Sequence, residues 1–251
     1  MSSIGENALV RNLHYLSESQ AVTTNNLANV SSNGFKRRIA MPVETGTRFD
    51  DFLGAATTVA EFGQSMDWSA GSLLNTDDPG NIAFRDQNLF LRVQTKDGRI
   101  AYTRTGDLVL GTDNRLLTRT GDTVLDDNDQ PIVLPSGTDQ GAISLETIKI
   151  APNGQLDLAD GGTIGRLGLY EIQGGRGLTP VGGGNYVLPT GQQPRPAQTN
   201  GVLQRFLEQS NVEVMGQMVQ MISNQRGFQA TASALTTLGR IKESYVSAFN
   251  R

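Results

Sequence analysis

The sequence predicts an α+β fold in which long N- and C-terminal helices form a coiled-coil-like pair and enclose an all-β domain joined to them by extended linkers. Three observations support this fold class. Apolar residues recur at alternating steps of four and three at both ends of the chain, which is the spacing of one helix face. The middle of the chain changes to short alternating runs separated by turn residues, as in β-strands. A stretch rich in Pro and Gln, residues 189–199, then indicates a return connection.

The C-terminal helix is predicted over residues 210–251. Ser210 and Glu213 form the S-x-x-E pattern that caps a first helical turn. Gly216, Gly227 and Gly239 each cost about 1 kcal/mol relative to alanine inside a helix, so this helix needs a packing partner. Its predicted stripe consists of Val214, Met218, Met221, Gln225, Phe228, Ala232 and Leu235.

The N-terminal helix is predicted over residues 1–34. Ser3 and Glu6 repeat the S-x-x-E start, and Asn33 with Gly34 provides residue types that end a helix in a left-handed conformation. Two interpretations of the terminal helices stay open: an ordinary antiparallel pair that covers a core, or surfaces for assembly. The predicted stripe of this helix consists of Leu9, Leu13, Leu16, Gln20, Thr23, Leu27 and Val30.

Between the helices, residues 35–70 lack a sustained period and predict an extended linker with one helical turn at Arg48–Ala56. Residues 71–188 predict the all-β domain, in which Leu89–Val93 and Ile100–Thr103 flank a D-G turn and form a hairpin. Residues 189–209 are predicted to be a connector. The remaining candidate strands are Asp107–Leu110, Arg115–Thr118, Thr123–Leu125, Pro131–Leu134, Ser144–Ile150, Gln155–Leu158, Ile164–Ile172 and Asn185–Leu188.

Composition excludes several classes of function. A net charge of -4 argues against nucleic acid as a main partner, which a surface of clustered cations would bind. The one dense basic run, Phe35–Arg38, is interpreted as a favourable charge at a helix C-terminus or a solvated turn. The absence of cysteine excludes disulfides, thiolate metal sites and cysteine nucleophiles. No apolar run is long enough for direct membrane insertion, and the N-terminus lacks the pattern of a signal peptide.

No residue pattern predicts catalysis, a cofactor site or a metal site, so we do not expect an enzyme. His14 is the single histidine and is interpreted as a helix-surface residue. Residues 126–129, Asp-Asp-Asn-Asp, lack the spacing of a calcium loop and predict a hairpin turn. The glycine runs near residues 174–177 and 182–184 are not followed by a helix signature, which a phosphate-binding loop requires.

Three motifs carry a resemblance to a known family. Asn25–Lys36, NNLANVSSNGFK, closely resembles the N-terminal signature of the bacterial flagellar rod and hook proteins, with Ser32 where threonine is common. Ala101–Gly106, AYTRTG, resembles the Y-T-R-x-G motif of that family. The segment LEQSNV at 207–212, with Met221-Ile222 and RGFQ at 226–229, resembles its C-terminal signature. The match covers nearly the whole chain, although Thr76–Phe84 departs from the family pattern.

Within the family, the length and the region from Gly165 to Tyr186 most resemble the proximal rod proteins, with the distal rod proteins as the alternative. The resemblance implies a structural, motility-related subunit of the periplasmic rod of the flagellar basal body, exported by the type III apparatus without a cleaved signal peptide. It implies no cofactor, and its partners would be copies of itself and other rod proteins. A cell-wall-binding β module and an enzyme acting on the wall are the competing hypotheses.

The terminal helices would polymerise through apolar contacts, with polar residues that fix their register. The expected assembly residues are Leu9, Leu13, Leu16, Asn25, Leu27, Asn29, Met218, Met221, Arg226, Phe228 and Leu235.

Overall fold

The structure, a computed structural model, describes residues 2–44, 60–135, 145–158, 160–189, 191–192, 194–197 and 200–249. The chain divides into two compact units. The helical unit contains Met1–Val30, Arg37–Asp67 and Val212–Arg251, and the β unit contains Ser31–Lys36 and Trp68–Asn211. Both units are therefore assembled from segments that are distant in sequence.

The helical unit contains both long helices and a pair of strands. Helix α1 spans Ser2–Ala28 and helix α2 spans Val214–Phe249. Strand β1 (Arg38–Glu44) pairs antiparallel with strand β2 (Ala60–Met66). Two terminal helices that flank a β-rich middle confirm the α+β class. The predicted linker thus contributes two strands, while the helical turn predicted at 48–56 lies outside the described residues.

The helix ends differ from the prediction. Helix α2 begins at Val214 rather than at Ser210, and the amide of Gln217 donates its first-turn hydrogen bond to the carbonyl of Glu213, 3.1 Å away. Ser210 lies four residues before the start of α2 and belongs to the β unit, so it does not occupy the N-cap position. Ser3 and Glu6 likewise lie inside α1, which begins at Ser2.

Helix α1 ends at Ala28, six residues before Gly34. Its last turn closes when the amide of Asn29 donates to the carbonyls of Asn25 and Asn26 at 3.2 and 3.1 Å. Gly34 has the expected left-handed φ of 68°, but it does not end the helix. It permits a close approach instead, since a Cβ atom there would lie 2.7 Å from the carbonyl oxygen of Arg104.

The β unit contains the other strands and most of the hydrophobic core. Its strands are β3 (Leu73–Asn75), β4 (Ile82–Phe84), β5 (Leu89–Gln94), β6 (Ile100–Thr103), β7 (Leu108–Leu110), β8 (Leu116–Thr118), β9 (Thr123–Val124), β10 (Ile148–Ile150), β11 (Gln155–Leu158), β12 (Thr163–Arg166), β13 (Leu169–Glu171), β14 (Thr179–Gly182), β15 (Asn185–Val187), β16 (Arg195–Pro196), β17 (Val202–Gln204) and β18 (Phe206–Glu208).

The largest sheet has nine strands. Seven of them follow the order β14-β15-β6-β5-β9-β8-β7, while β13 pairs with β5 and β16 pairs with β13. Strands β10, β11 and β12 form a second sheet, and β17 with β4 and β18 with β3 form two-stranded sheets.

The locally encoded hairpins are confirmed. Strands β5 and β6 pair around Gly98, whose φ is 78°, and β7 pairs with β8 around Asn114, whose φ is 60°. The turn after β9 is closed by Asp126, whose Oδ1 accepts hydrogen bonds from the amides of Asn128 and Gln130 at 2.8 and 2.7 Å. The single strand predicted at 164–172 is instead two strands, β12 and β13.

The segment predicted to be a connector, residues 189–209, contains β16, β17 and β18. Strand β17 pairs with β4, and β18 pairs with β3. Val202 and Leu207 are buried by this pairing. The segment therefore belongs to the fold of the β unit.

Candidate functional site

A buried ion cluster joins the three family-like motifs within the β unit. The side chains of Lys36 and Glu208 are fully inaccessible to solvent, with Nζ and Oε1 2.7 Å apart. Arg104 is also buried, and its Nε and Nη2 atoms lie 2.8 and 2.7 Å from Oε2 of Glu208. Each motif contributes one charged residue, so the motifs are brought together although they lie far apart in sequence.

Backbone pairing positions these side chains. Glu208 ends β18, which is held against β3, while Arg104 directly follows β6. The amide of Gly34 donates to the carbonyl of Glu208 at 2.7 Å, and this bond fixes the segment that carries Lys36. Gly106 is also required, because a Cβ atom there would lie 1.8 Å from the carbonyl oxygen of Ile82.

Two cations face one carboxylate, and backbone carbonyls balance the excess positive charge. The guanidinium of Arg104 donates to four carbonyls at 2.7 to 3.3 Å, and Nζ of Lys36 donates to the carbonyl of Ser69 at 2.6 Å. Such satisfaction is needed because a buried ion without partners costs several kcal/mol. The four carbonyls that accept from Arg104 belong to Phe84, Asp86, Gln87 and Leu89.

The cluster also sets the protonation of its carboxylate. Burial alone would raise the pKa of Glu208, but the charges of Arg104 and Lys36, with hydrogen bonds from Lys36 and the amide of Gly71, lower this pKa below its ordinary value. Glu208 is therefore held ionised at neutral pH.

The interpretation of the basic run at 35–38 as a solvated or dipole-stabilising turn is wrong for Lys36. Lys36 is buried in the cluster, and Arg37 donates to Asp67 with an Nη2–Oδ2 distance of 2.8 Å. The partner of Lys36 is 172 residues away. A local charge pattern could not reveal it, although the presence of a charged residue in each motif was a usable signal.

The second feature of interest is a polar seam between α1 and α2 in the helical unit. Nδ2 of Asn12 donates to Oγ1 of Thr231 at 3.0 Å. Nδ2 of Asn224 donates to Oγ of Ser19, also at 3.0 Å. In a third contact, Nδ2 of Asn26 donates to Oε1 of Gln217 at 2.9 Å. Each contact lies seven residues further along α1 and seven residues earlier along α2, so the helices run antiparallel.

Asn26 ties the seam to strand β1. Besides Gln217, it donates to the carbonyl of Arg38 and accepts from the amide of the same residue, both at 2.8 Å. The residues expected to fix the register between subunits are Asn25, Asn29 and Arg226, and that role stays a prediction. Within this chain, Nδ2 of Asn29 donates to the carbonyl of Asn25 at 2.8 Å.

The structure places the expected assembly residues around the two helices. Met218, Arg226 and Phe228 are exposed, whereas Leu16 faces α2, where a Cβ atom on Gly227 would lie 3.3 Å from its Cδ1. The half-buried members of the set are Leu9, Leu13, Leu16, Asn25, Leu27, Asn29, Met221 and Leu235.

An exposed apolar stripe lies on α2, on the side opposite the seam. Its members are spaced by three, four and seven residues from the first, which places them on one helix face. We call it the outer stripe. It consists of Met215, Met218, Val219 and Ile222, which are 69, 45, 65 and 50% exposed.

The hypothesis of a cell-wall-binding module expected aromatic residues in a concave pocket. Trp68 instead packs edge-on against Phe90 and Tyr186, with ring centroids 5.6 and 5.0 Å away. Tyr102 and Tyr170 are buried against each other. These aromatic rings serve the packing of the β unit.

Other chemistry is sparse in the described part of the chain. His14 lies on the surface of α1, with its Nε2 3.9 Å from a carboxylate oxygen of Glu18. Among the described residues, no three His, Asp or Glu side chains are grouped so that they could hold a metal ion. Neither α1 nor α2, as far as they are described, has the length and apolar character of a membrane span.

Two segments of the chain match known families. Residues 203–244 match the family described as flagellar basal body rod FlgEFG protein C-terminal. Residues 88–158 match the family described as flagellar hook protein FlgE/F/G D1 domain. Glu208 lies in the first match and Arg104 in the second.

Relatives match over most of the chain. The flagellar basal-body rod protein FlgG of Buchnera aphidicola subsp. Acyrthosiphon pisum (strain APS) is 30% identical over 238 residues, which cover 86% of this chain and 88% of that protein. The rod protein FlgF of Salmonella typhimurium (strain LT2) is 29% identical over 235 residues, with 87% of each chain covered. FlgG of Bacillus subtilis (strain 168) is 26% identical over 250 residues, covering 90% of this chain and 91% of its own. Relatives named FlgG and FlgF thus match at nearly equal identity, and the chain belongs to the flagellar basal-body rod protein family.

Proposed function

We propose that this protein is a structural subunit of the flagellar basal-body rod and that it assembles through the outward faces of its terminal helices. One observation carries the proposal: the helix pair is polar at its seam and apolar on its outer stripe. An ordinary amphipathic helix of a globular protein has the opposite arrangement. A contiguous exposed apolar surface marks an interaction site.

The occupants of this surface are copies of the same chain and other rod proteins, as the names of the relatives suggest. Burying one large apolar side chain contributes roughly 1.5–3 kcal/mol, so the outer stripe can contribute substantially to each contact. The expected assembly residues Leu9, Leu13, Leu27, Met221 and Leu235, which are half-buried, and Phe228, which is exposed, are proposed to add apolar contacts along the flank of the seam.

We further assign the protein to the proximal, FlgF-type part of the rod, with the distal, FlgG-type part as the alternative. The assignment rests on the resemblance of the region from Gly165 to Tyr186. The rod lies in the periplasm, and the flagellar type III export apparatus is the proposed route of the chain to it. No catalytic role is proposed.

The outer stripe is tested by Val219→Asp. A charge at this position should prevent assembly, so swimming on soft agar and recovery of the protein in isolated basal bodies should both be lost. Gln130→Glu is the control, because it adds one negative charge to an exposed position of the β unit without removing apolar surface.

Both variants should be produced in normal amounts and unfold at the wild-type temperature, since neither position belongs to the seam. Normal swimming and normal incorporation of the Val219→Asp variant would contradict the proposal.

A further inference from the structure

The charged residues of the buried ion cluster are far apart along the chain. Lys36 and Arg104 precede Glu208 by 172 and 104 residues. Both cations therefore exist in a growing chain long before the carboxylate that pairs with them. An early fold of the β unit would have to bury them without this anion.

Arg104 makes such an early fold unfavourable, because it lies inside the core and not at its edge. Its guanidinium contacts the carbonyl that ends β4 and the one that begins β5, and its charge lies 5.6 Å from the ring centroids of Phe84 and Phe90. The turn between these strands is closed around the cation. Removing one partner of a buried pair is strongly destabilising, because the other charge stays uncompensated.

The segment that carries Glu208 completes more than the ion cluster. Strand β17 pairs antiparallel with β4, and β18 pairs antiparallel with β3. The carbonyl and the carboxylate of Glu208 also accept the amides of Gly34 and Gly71, at 2.7 and 3.0 Å. We call residues 202–209 the closing segment, since it joins the start, the middle and the end of the β unit.

We propose that the β unit is not completed until the closing segment docks, because only this segment supplies the carboxylate that pairs with Lys36 and Arg104. A chain that emerges N-terminus first keeps an incomplete β core until nearly all of the β unit has emerged. Helix α2 follows the closing segment in the chain. Burial of Lys36 and Arg104 thus depends on residues 202–209, which are near the end of the β unit in sequence.

Pulse-labelling hydrogen exchange during refolding of the full-length protein tests this order. The amides of β5 and β6 should gain protection in the same kinetic phase as those of the closing segment and of Gly34 and Gly71. Protection of β5 and β6 at least about tenfold faster than protection of residues 206–209 would overturn the proposal.

Two full-length variants separate the carboxylate from the strand that carries it. Glu208→Gln keeps β18 but removes the anion, and should accelerate exchange of the β5 and β6 amides in the native state by roughly 100-fold or more. Gln209→Ala changes another residue of the closing segment and removes only an exposed hydrogen bond from the hydroxyl of Ser72. It should leave exchange of the β5 and β6 amides within about twofold of the wild type.

Equal exchange in wild type and Glu208→Gln would overturn the proposal. If Glu208→Gln does not fold, the wild-type refolding measurement still decides, because it requires no variant.

Discussion

Lys36 and Glu208 form a solvent-inaccessible ion pair, with Nζ and Oε1 2.7 Å apart and 172 residues between them in sequence. The pair makes the short segment at 31–36 part of the β unit, although it follows directly after the helical segment Met1–Val30. A fragment limited to residues 70–200 would lack both partners. The complete β unit therefore needs both of its flanks.

Loss of the carboxylate should be far more damaging than loss of one cation. Glu208→Gln leaves two buried cations with a neutral partner, and we expect it to lower the free energy of unfolding by about 3–5 kcal/mol. Lys36→Met leaves the Arg104–Glu208 pair intact and should cost less. Urea unfolding followed by fluorescence of Trp68, the single tryptophan, reports on the β unit directly.

Asp113→Asn is the control for this comparison. Asp113 pairs with Arg115 at 3.0 Å, but both side chains are about half exposed, and such pairs contribute little. Equal losses in Glu208→Gln and Asp113→Asn would contradict the role of the cluster.

The same carboxylate predicts a pH dependence. The pKa of Glu208 is lowered in the folded protein from an ordinary value of 4.5, so its contribution is complete above that value and is lost as pH falls through the folded pKa. The stability difference between wild type and Glu208→Gln should be constant at neutral pH and shrink below pH 4.5. Urea unfolding at a series of pH values measures this, and a difference that grows on acidification would contradict the sign.

Removal of the Asn26 side chain should loosen the helical unit. Asn26→Ala leaves Gln217 and both backbone groups of Arg38 without a partner, at about 1–3 kcal/mol for each buried group. Hydrogen exchange of α1 and α2 should accelerate, and helical circular dichroism should be lost at a lower temperature. Thr24→Ala, which removes an exposed bond within α1, should stay within about 0.5 kcal/mol of wild type; similar effects of both changes would argue against the seam.

Two glycine substitutions should have opposite signs. Gly239 lies inside α2, and a Cβ atom added there would have no other atom within 4 Å, so Gly239→Ala should stabilise the helix by about 0.5–1 kcal/mol. Gly34→Ala would place a Cβ 2.7 Å from the carbonyl of Arg104 at a φ of 68° and should destabilise the β unit. Circular dichroism reports the first change and Trp68 fluorescence the second; stabilisation by Gly34→Ala would refute the packing described for this segment.

Local signals explain what could be predicted from the sequence. The hairpin of β5 and β6 is encoded by alternating residues around Asp97-Gly98, and the two helices by their periodicity. These features depend on neighbours in sequence. Strands β17 and β18 were missed because their partners, β4 and β3, are more than a hundred residues away.

The helix seam could not be found by following apolar residues. Its members on α2, Gln217, Asn224 and Thr231, each lie one residue before a member of the predicted stripe. One residue corresponds to a rotation of about 100° around the helix axis. The apolar period therefore located the flank of the interface, while polar residues occupy its centre.

The outer stripe of α2 should become buried when the rod assembles. Because the chain has no cysteine, Val219→Cys introduces a single thiol at an exposed position with little change in size. The rate of reaction of this thiol with a maleimide should be high in the purified monomer and much lower in isolated basal bodies. A separate single-cysteine variant, Asp97→Cys, gives the reference rate for an exposed thiol. Equal reactivity of the Val219→Cys thiol in monomer and basal body would contradict burial of the outer stripe on assembly.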